Sequence, residues 1–125
     1  MGTIVIENTI LIPCGRSEVY AFCVDAQARS EVSGQENLVP EFLDLVPDRS
    51  WTEKLEGRSE TITWSYVVSP VADRTRMTVS AEYTPKGLAR MLSGAKEGRY
   101  RKQEEARLAA LKKAVERRAR QGRNT

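Results

Sequence analysis

Near its start the chain carries the run Ile4-Val5-Ile6-Glu7-Asn8-Thr9-Ile10-Leu11-Ile12, rich in β-branched residues at a period near two. Ile4, Ile6, Ile10 and Ile12 share one face, with Glu7 and Thr9 on the other, which predicts a strand with one buried face. Pro13, without a backbone N–H, ends it. Gly15 or Ser17 then opens a helix with Glu18 in its favourable first turn. Val19, Phe22 and Cys23 fall at i, i+3 and i+4 as an apolar stripe, and Asp25 closes the element. Residues 26–37 are polar and patternless and read as a loop with at most a weak helical turn. Leu38 to Val46 reads as a strand or extended piece, Pro47-Asp48-Arg49 as a turn, Ser50 to Leu55 as a short strand and Glu56-Gly57-Arg58 as another turn.

The clearest alternation follows. Thr61-Ile62-Thr63-Trp64-Ser65-Tyr66-Val67-Val68 interleaves small polar with large apolar residues. Met77, Val79, Ala81 and Tyr83 face one way along the next run, with Thr78, Ser80 and Glu82 facing the other. With a turn over Pro70 to Arg74, this predicts an antiparallel hairpin with one wet face. After Pro85-Lys86-Gly87 the pattern turns helical. Leu88, Met91, Leu92 and Ala95 make one apolar stripe; Tyr100, Leu108, Leu111 and Val115 make a second on roughly the opposite side. Gly94 and Gly98 lie between them, so a kink or break is expected there. Fraying is expected after Arg117.

Composition narrows the function classes. The 125 residues fit one domain, taken here as residues 1–120 with a flexible basic tail over 121–125, and 40% apolar with 30% charged residues marks a globular chain. No run approaches the roughly 20 apolar residues that span a bilayer. The N-terminus shows no basic segment followed by an apolar block, so a cytoplasmic protein is expected. The chain has no histidine and two cysteines. A His-based triad is thereby excluded, and a zinc site is not expected. Cys14 and Cys23 would lie on the order of 12 Å apart if the intervening segment is helical, beyond disulfide reach. Charge is uneven: residues 96–125 carry 11 Lys/Arg against 4 Asp/Glu, whereas the rest is mildly acidic.

The strand ending in Ile12-Pro13, the following Val19-Tyr20, Phe22 and Asp25, the Trp64-bearing strand, Thr75-Arg76-Met77-Thr78-Val79, Tyr83-Thr84-Pro85 and the helical Leu108 to Glu116 occur in an order that resembles the polyketide cyclase/dehydrase branch of the START-like (SRPBCC) superfamily. The resemblance implies an α+β helix-grip fold, an antiparallel sheet wrapped on a long C-terminal helix, with an apolar cavity between them for a lipid, polyketide or quinone-like molecule. Asp25 to Thr61 is short for that family, and the aromatic residues often found after the Asp are absent. A reduced number of strands is therefore expected, with a smaller cavity, an open one, or one completed by a second copy in a homodimer.

Phe22, Ile62, Trp64, Tyr66, Met77 and Val79 are the first candidate ligand-lining residues, joined by Tyr83, Met91, Tyr100, Glu104 and Leu108. Trp64, Tyr66, Met77, Val79 and Tyr83 also read as plain core residues, since pockets are lined with core-type side chains. Glu104 stands out because it sits one turn from Tyr100 and from Leu108 on an apolar helix face. A carboxylate there is costly unless paired. It is either an acid or hydrogen-bonding group for a ligand, or a rim residue paired with a neighbouring Arg or Lys. The Tyr66 and Tyr83 hydroxyls have the same two readings, carbonyl activation or structural bonding. Asp25 reads as a cap for the turn that follows it.

The expected function is binding or transport of a small hydrophobic molecule, with no cofactor, no metal and no catalytic residue assigned. A polyketide cyclase or dehydratase using tyrosine and Glu104 is the first alternative. An interaction module using the basic helix toward RNA, an acidic protein or itself is the second. Nucleic acid is the weaker partner class, because Glu97, Glu104, Glu105 and Glu116 interrupt the basic run and no aromatic residues interleave it for base stacking.

Overall fold

The computed structural model describes residues 3–25, 27–29, 40–57, 60–86 and 97–123. Its elements are β1 (Ile4–Ile12), α1 (Arg16–Cys23), β2 (Glu41–Val46), β3 (Ser50–Glu56), β4 (Glu60–Val71), β5 (Arg74–Pro85) and α2 (Glu97–Arg123). The five strands form one antiparallel sheet in the order β1-β5-β4-β3-β2. The N-terminal strand therefore closes one edge against the C-terminal strand, and the short middle strands carry the other edge.

Alternation sets which face is buried. Ile62, Trp64, Tyr66 and Val68 of β4 point inward with Thr75, Met77, Val79, Ala81 and Tyr83 of β5. The register sets Trp64 opposite Ala81 and Tyr66 opposite Val79, so bulky rings lie beside small partners. Ile4, Ile6 and Ile12 continue this face into β1, and Trp51 and Glu53 continue it into β3.

The β4–β5 hairpin is longer than the sequence predicts. The expected turn at Pro70 is part of β4, where Pro70 pairs with Thr75, and the reversal is the Ala72-Asp73 step. Proline is tolerated there because pairing of β3 to β4 ends at Val67, so β4 has a strand on one side only. Ala72 carries the turn at a φ of 58°, a left-handed conformation. Between β3 and β4, the Gly57 N–H donates to the Glu60 carbonyl at 2.8 Å. A Cβ on Gly57 would come within 2.9 Å of that oxygen, which explains the glycine. The β2 edge has a register shift between Leu43 and Val46, with Asp44 at a φ of 50°. Such irregularity disfavours pairing with another strand.

Helix α1 starts at Gly15, whose N–H is accepted by the Glu18 carboxylate at 3.4 Å. It buries Val19, Phe22 and Cys23, the expected stripe. Asp25 then caps the helical residues Gln27, Ala28 and Arg29, its Oδ1 accepting from the Gln27 and Ala28 N–H groups at 3.1 and 3.2 Å. Helix α2, 27 residues and roughly 40 Å long, lies against the buried face of the sheet and packs on β1 and α1. Tyr100, Glu104, Leu108, Leu111 and Val115 form its buried stripe. The helix runs on past Arg117 through Arg123. Near that end Arg118 ties it to α1, bonding Asp25 at 3.4 Å and lying 5.6 Å from the centre of the Phe22 ring. Gly98 is inside α2; Gly94, Leu88, Met91, Leu92 and Ala95, and with them most of the expected break, lie outside the described residues.

Cys14 and Cys23 are buried thiols. Among the described residues no cluster of side chains has metal-binding spacing, and no helix is long and apolar enough to cross a membrane.

Candidate functional site

Two places carry the chemistry: a buried polar network between sheet and helix, and a groove beside it. The network centres on Glu104, which is 0% exposed. Trp64 Nε1 donates to both of its carboxylate oxygens at 3.1 Å, and the Tyr83 hydroxyl donates to Oε2. Arg107, one turn on along α2, donates to Oε1 from Nε and Nη2 at 3.1 and 2.9 Å. Its Nη1 reaches the Tyr66 hydroxyl, and its guanidinium lies 4.7 Å from the centre of the Trp64 ring. The carboxylate thus meets donors from β4, β5 and its own helix.

A second pair repeats the design across the sheet. Glu53 on β3, also 0% exposed, is held by both terminal nitrogens of Arg29 and by Trp51 Nε1 at 2.9 Å. Arg29 also donates to the Cys23 carbonyl, so the turn after α1 is tied to the sheet. The two pairs meet through stacked rings: Trp51 and Tyr66 are nearly parallel at 9° with centroids 4.6 Å apart, and Tyr20 meets Trp51 edge-on. Tyr83 stacks on Tyr100, whose hydroxyl donates to Glu60. Among the described residues no buried side-chain nitrogen or oxygen lacks a partner. Each carboxylate is compensated by an arginine and by ring donors, the condition under which a buried charge is tolerated.

These surroundings raise several pKa values. Burial pushes the Tyr66 hydroxyl up to about 12, against the pull of Arg107. Burial, then the hydrogen bond to Glu60, pushes Tyr100 up to about 12. Burial, then the bond to Glu104, holds Tyr83 above the ordinary tyrosine range. The Cys23 thiol rises by burial to about 12. A raised pKa means that the folded state holds its proton where the unfolded chain releases it. The stability from Cys23 is fully present below pH 9.0, that from the tyrosines below 10.0, and both are lost as the pH rises toward about 12. The urea midpoint is therefore expected to fall steadily across that alkaline range. A midpoint that stays flat across it would show that these groups are not held as described.

Beside the network, α1 and its following turn diverge from the second half of α2 and leave a groove of about 690 Å³. Phe22, Ala28, Ala110 and Ala114 are its apolar lining residues; Asp25, Gln27, Lys113, Arg117, Arg118 and Gln121 complete the lining. The backbone N–H of Ala28, then Arg118, holds the Asp25 carboxyl below its ordinary value, so it stays charged.

The candidate residues read from the sequence divide between the two places. Trp64, Tyr66, Tyr83 and Glu104 meet in the network, and Tyr100 stacks against it. Ile62, Met77, Val79 and Leu108 are buried in the surrounding core. Phe22 lines the groove, and Met91 lies outside the described residues. Glu104 is enclosed and not at a rim, and Arg107 supplies the cationic partner that one of its two readings called for. Arg107 was discoverable as its i+3 neighbour, and Trp51 with Glu53 as an alternating pair on one strand face. Nothing local pointed to Arg29, which sits in the patternless stretch, or to Ala110 and Ala114.

The chain has the START-like helix-grip fold, an α+β arrangement of open antiparallel sheet and long C-terminal helix. A START superfamily protein from Mycobacterium smegmatis superposes with a TM-score of 0.68 at 11% identity, covering 94% of this chain and 97% of that one. Protein CV1439 from Chromobacterium violaceum gives 0.69 at 12% identity, covering 90% and 97%. The di-domain ARO/CYC StfQ of the steffimycin biosynthetic pathway gives 0.69 at 12%, covering 94% of this chain and 52% of that one. At these identities the likeness is one of fold. No protein-family model matches the chain, and no curated protein matches its sequence.

Proposed function

We propose that the chain binds or carries a small hydrophobic molecule, and that the groove between α1 and α2 receives it. The observation that carries this reading is the groove's lining: a space of about 690 Å³ in which Phe22, Ala28, Ala110 and Ala114 supply apolar side chains among polar and charged ones. That size and layout suit a small-molecule site. A guest between sheet and helix would instead have to displace Trp64, Tyr83 and Arg107 from Glu104, exposing a buried carboxylate to an apolar body. The groove requires no such displacement.

The cyclase or dehydratase reading has one observation in its favour, since Glu104 and the Tyr83 hydroxyl meet at 2.5 Å. It is the weaker reading because Glu104 is fully enclosed and already accepts from three side chains. An acid catalyst must reach the atom it protonates.

The test is saturable binding of Nile red, a neutral apolar dye. Ala110→Trp places an indole in the groove from an exposed helix position and is expected to abolish the fluorescence increase while leaving the far-ultraviolet circular dichroism unchanged. Full binding by a folded Ala110→Trp variant would overturn the assignment.

A further inference from the structure

We infer that the groove selects an amphipathic carboxylate, an apolar body carrying one anionic head, with Lys113 and Arg117 receiving the head. This rests on the groove being the binding site and adds the chemical class of its occupant.

At about 100° per residue, Ala110 and Ala114 lie in one row along α2. Lys113 and Arg117, also four residues apart, form a parallel row on their solvent side. Arg118 falls on the opposite side, toward α1. The three cations are not equivalent. Arg118 is engaged by Asp25 at 3.4 Å and lies over the Phe22 ring. Among the described residues neither Lys113 nor Arg117 makes an ion pair or a side-chain hydrogen bond. Among the described residues, the apolar side chains of the groove are therefore accompanied by two cations without an ion-pair partner, one turn apart, roughly 6 Å along the helix. A neutral hydrophobe would cover the apolar side chains and make no use of these charges. An anion with an apolar body satisfies both.

The lining also limits the charge of the head. Asp25 stays ionised at the same groove, its carboxyl held down by the Ala28 N–H and by Arg118. A dianionic phosphate head would meet that negative charge more strongly than a single carboxylate would. Lys113 and Arg117 suffice for one negative charge against it.

The experiment is calorimetric titration of the full chain with decanoate, decyl phosphate, decanol and acetate, each below its aggregation threshold. Decanoate is expected to bind roughly tenfold tighter than decanol, and acetate not to saturate. Lys113→Gln/Arg117→Gln should remove that advantage and leave decanol unchanged; both positions are exposed, so the fold should survive. Raised salt should weaken decanoate and not decanol. Equal binding of decanoate and decanol, tighter binding of decyl phosphate, or an unchanged advantage in the double variant would each overturn the carboxylate assignment. Ala110→Trp separates this from failure of the groove itself. If it blocks decanol while decanoate shows no advantage, the groove stands and the head chemistry falls. If it blocks neither ligand, both fall.

Discussion

Replacing Arg107 by methionine is expected to cost the folded protein about 3–5 kcal/mol, the loss typical of removing one partner from a buried ion pair. Methionine preserves much of the side-chain volume, so the loss reports the charge and not a void. Glu104 would keep its bonds from Trp64 and Tyr83 but would lose two donors and the neutralising cation in a site with no solvent exposure. Tyr66 would lose its partner at the same time. The measurement is urea denaturation followed by circular dichroism. Adding Glu104→Gln should recover part of the loss, because the uncompensated charge is then gone, and the two changes should be non-additive by at least about 1 kcal/mol. A single variant that loses under about 1 kcal/mol would show that solvent reaches the pair.

Trp51→Ala is expected to cost a similar amount, about 3–5 kcal/mol, for a different reason. The indole is packed between Tyr66, stacked at 4.6 Å, and Tyr20, edge-on at 5.6 Å, and its N–H donates to Glu53. Alanine leaves a cavity where the two arginine–glutamate pairs approach each other through the rings. Trp51→Phe separates the contributions. It keeps a ring in the stack and removes one donor from a carboxylate still held by Arg29, so a loss of about 1–2 kcal/mol is expected. If the phenylalanine variant were as unstable as the alanine variant, the hydrogen bond to Glu53, and not the packing, would govern this part of the core.

What could be read along the chain follows from the range of each signal. β1 was legible over its full length because period-two alternation of β-branched residues is a property of neighbours. The stripe of Val19, Phe22 and Cys23 is likewise a local feature, and so is the β4–β5 hairpin. The position of its turn was not legible, because Pro70 is acceptable in β4 only where β3 has already ended. That is a fact about a neighbouring strand. Fraying after Arg117 was a reasonable reading of a charged helix end, yet α2 continues to Arg123, with Arg118 bonded to Asp25 on an element 93 positions away.

The same division applies to the two sites. By itself the sequence determined an α+β chain with an antiparallel sheet, a long basic terminal helix and one carboxylate, Glu104, out of place on an apolar stripe. Tertiary structure alone decided that this carboxylate is enclosed by Trp64, Tyr83 and Arg107, that Glu53 and Arg29 form a second such pair, and that a groove lined by two alanines lies beside Phe22. Alternation and helical period decide which way a side chain faces. Which groups meet, and where space is left between them, depends on contacts across tens of residues, and composition carries no record of those.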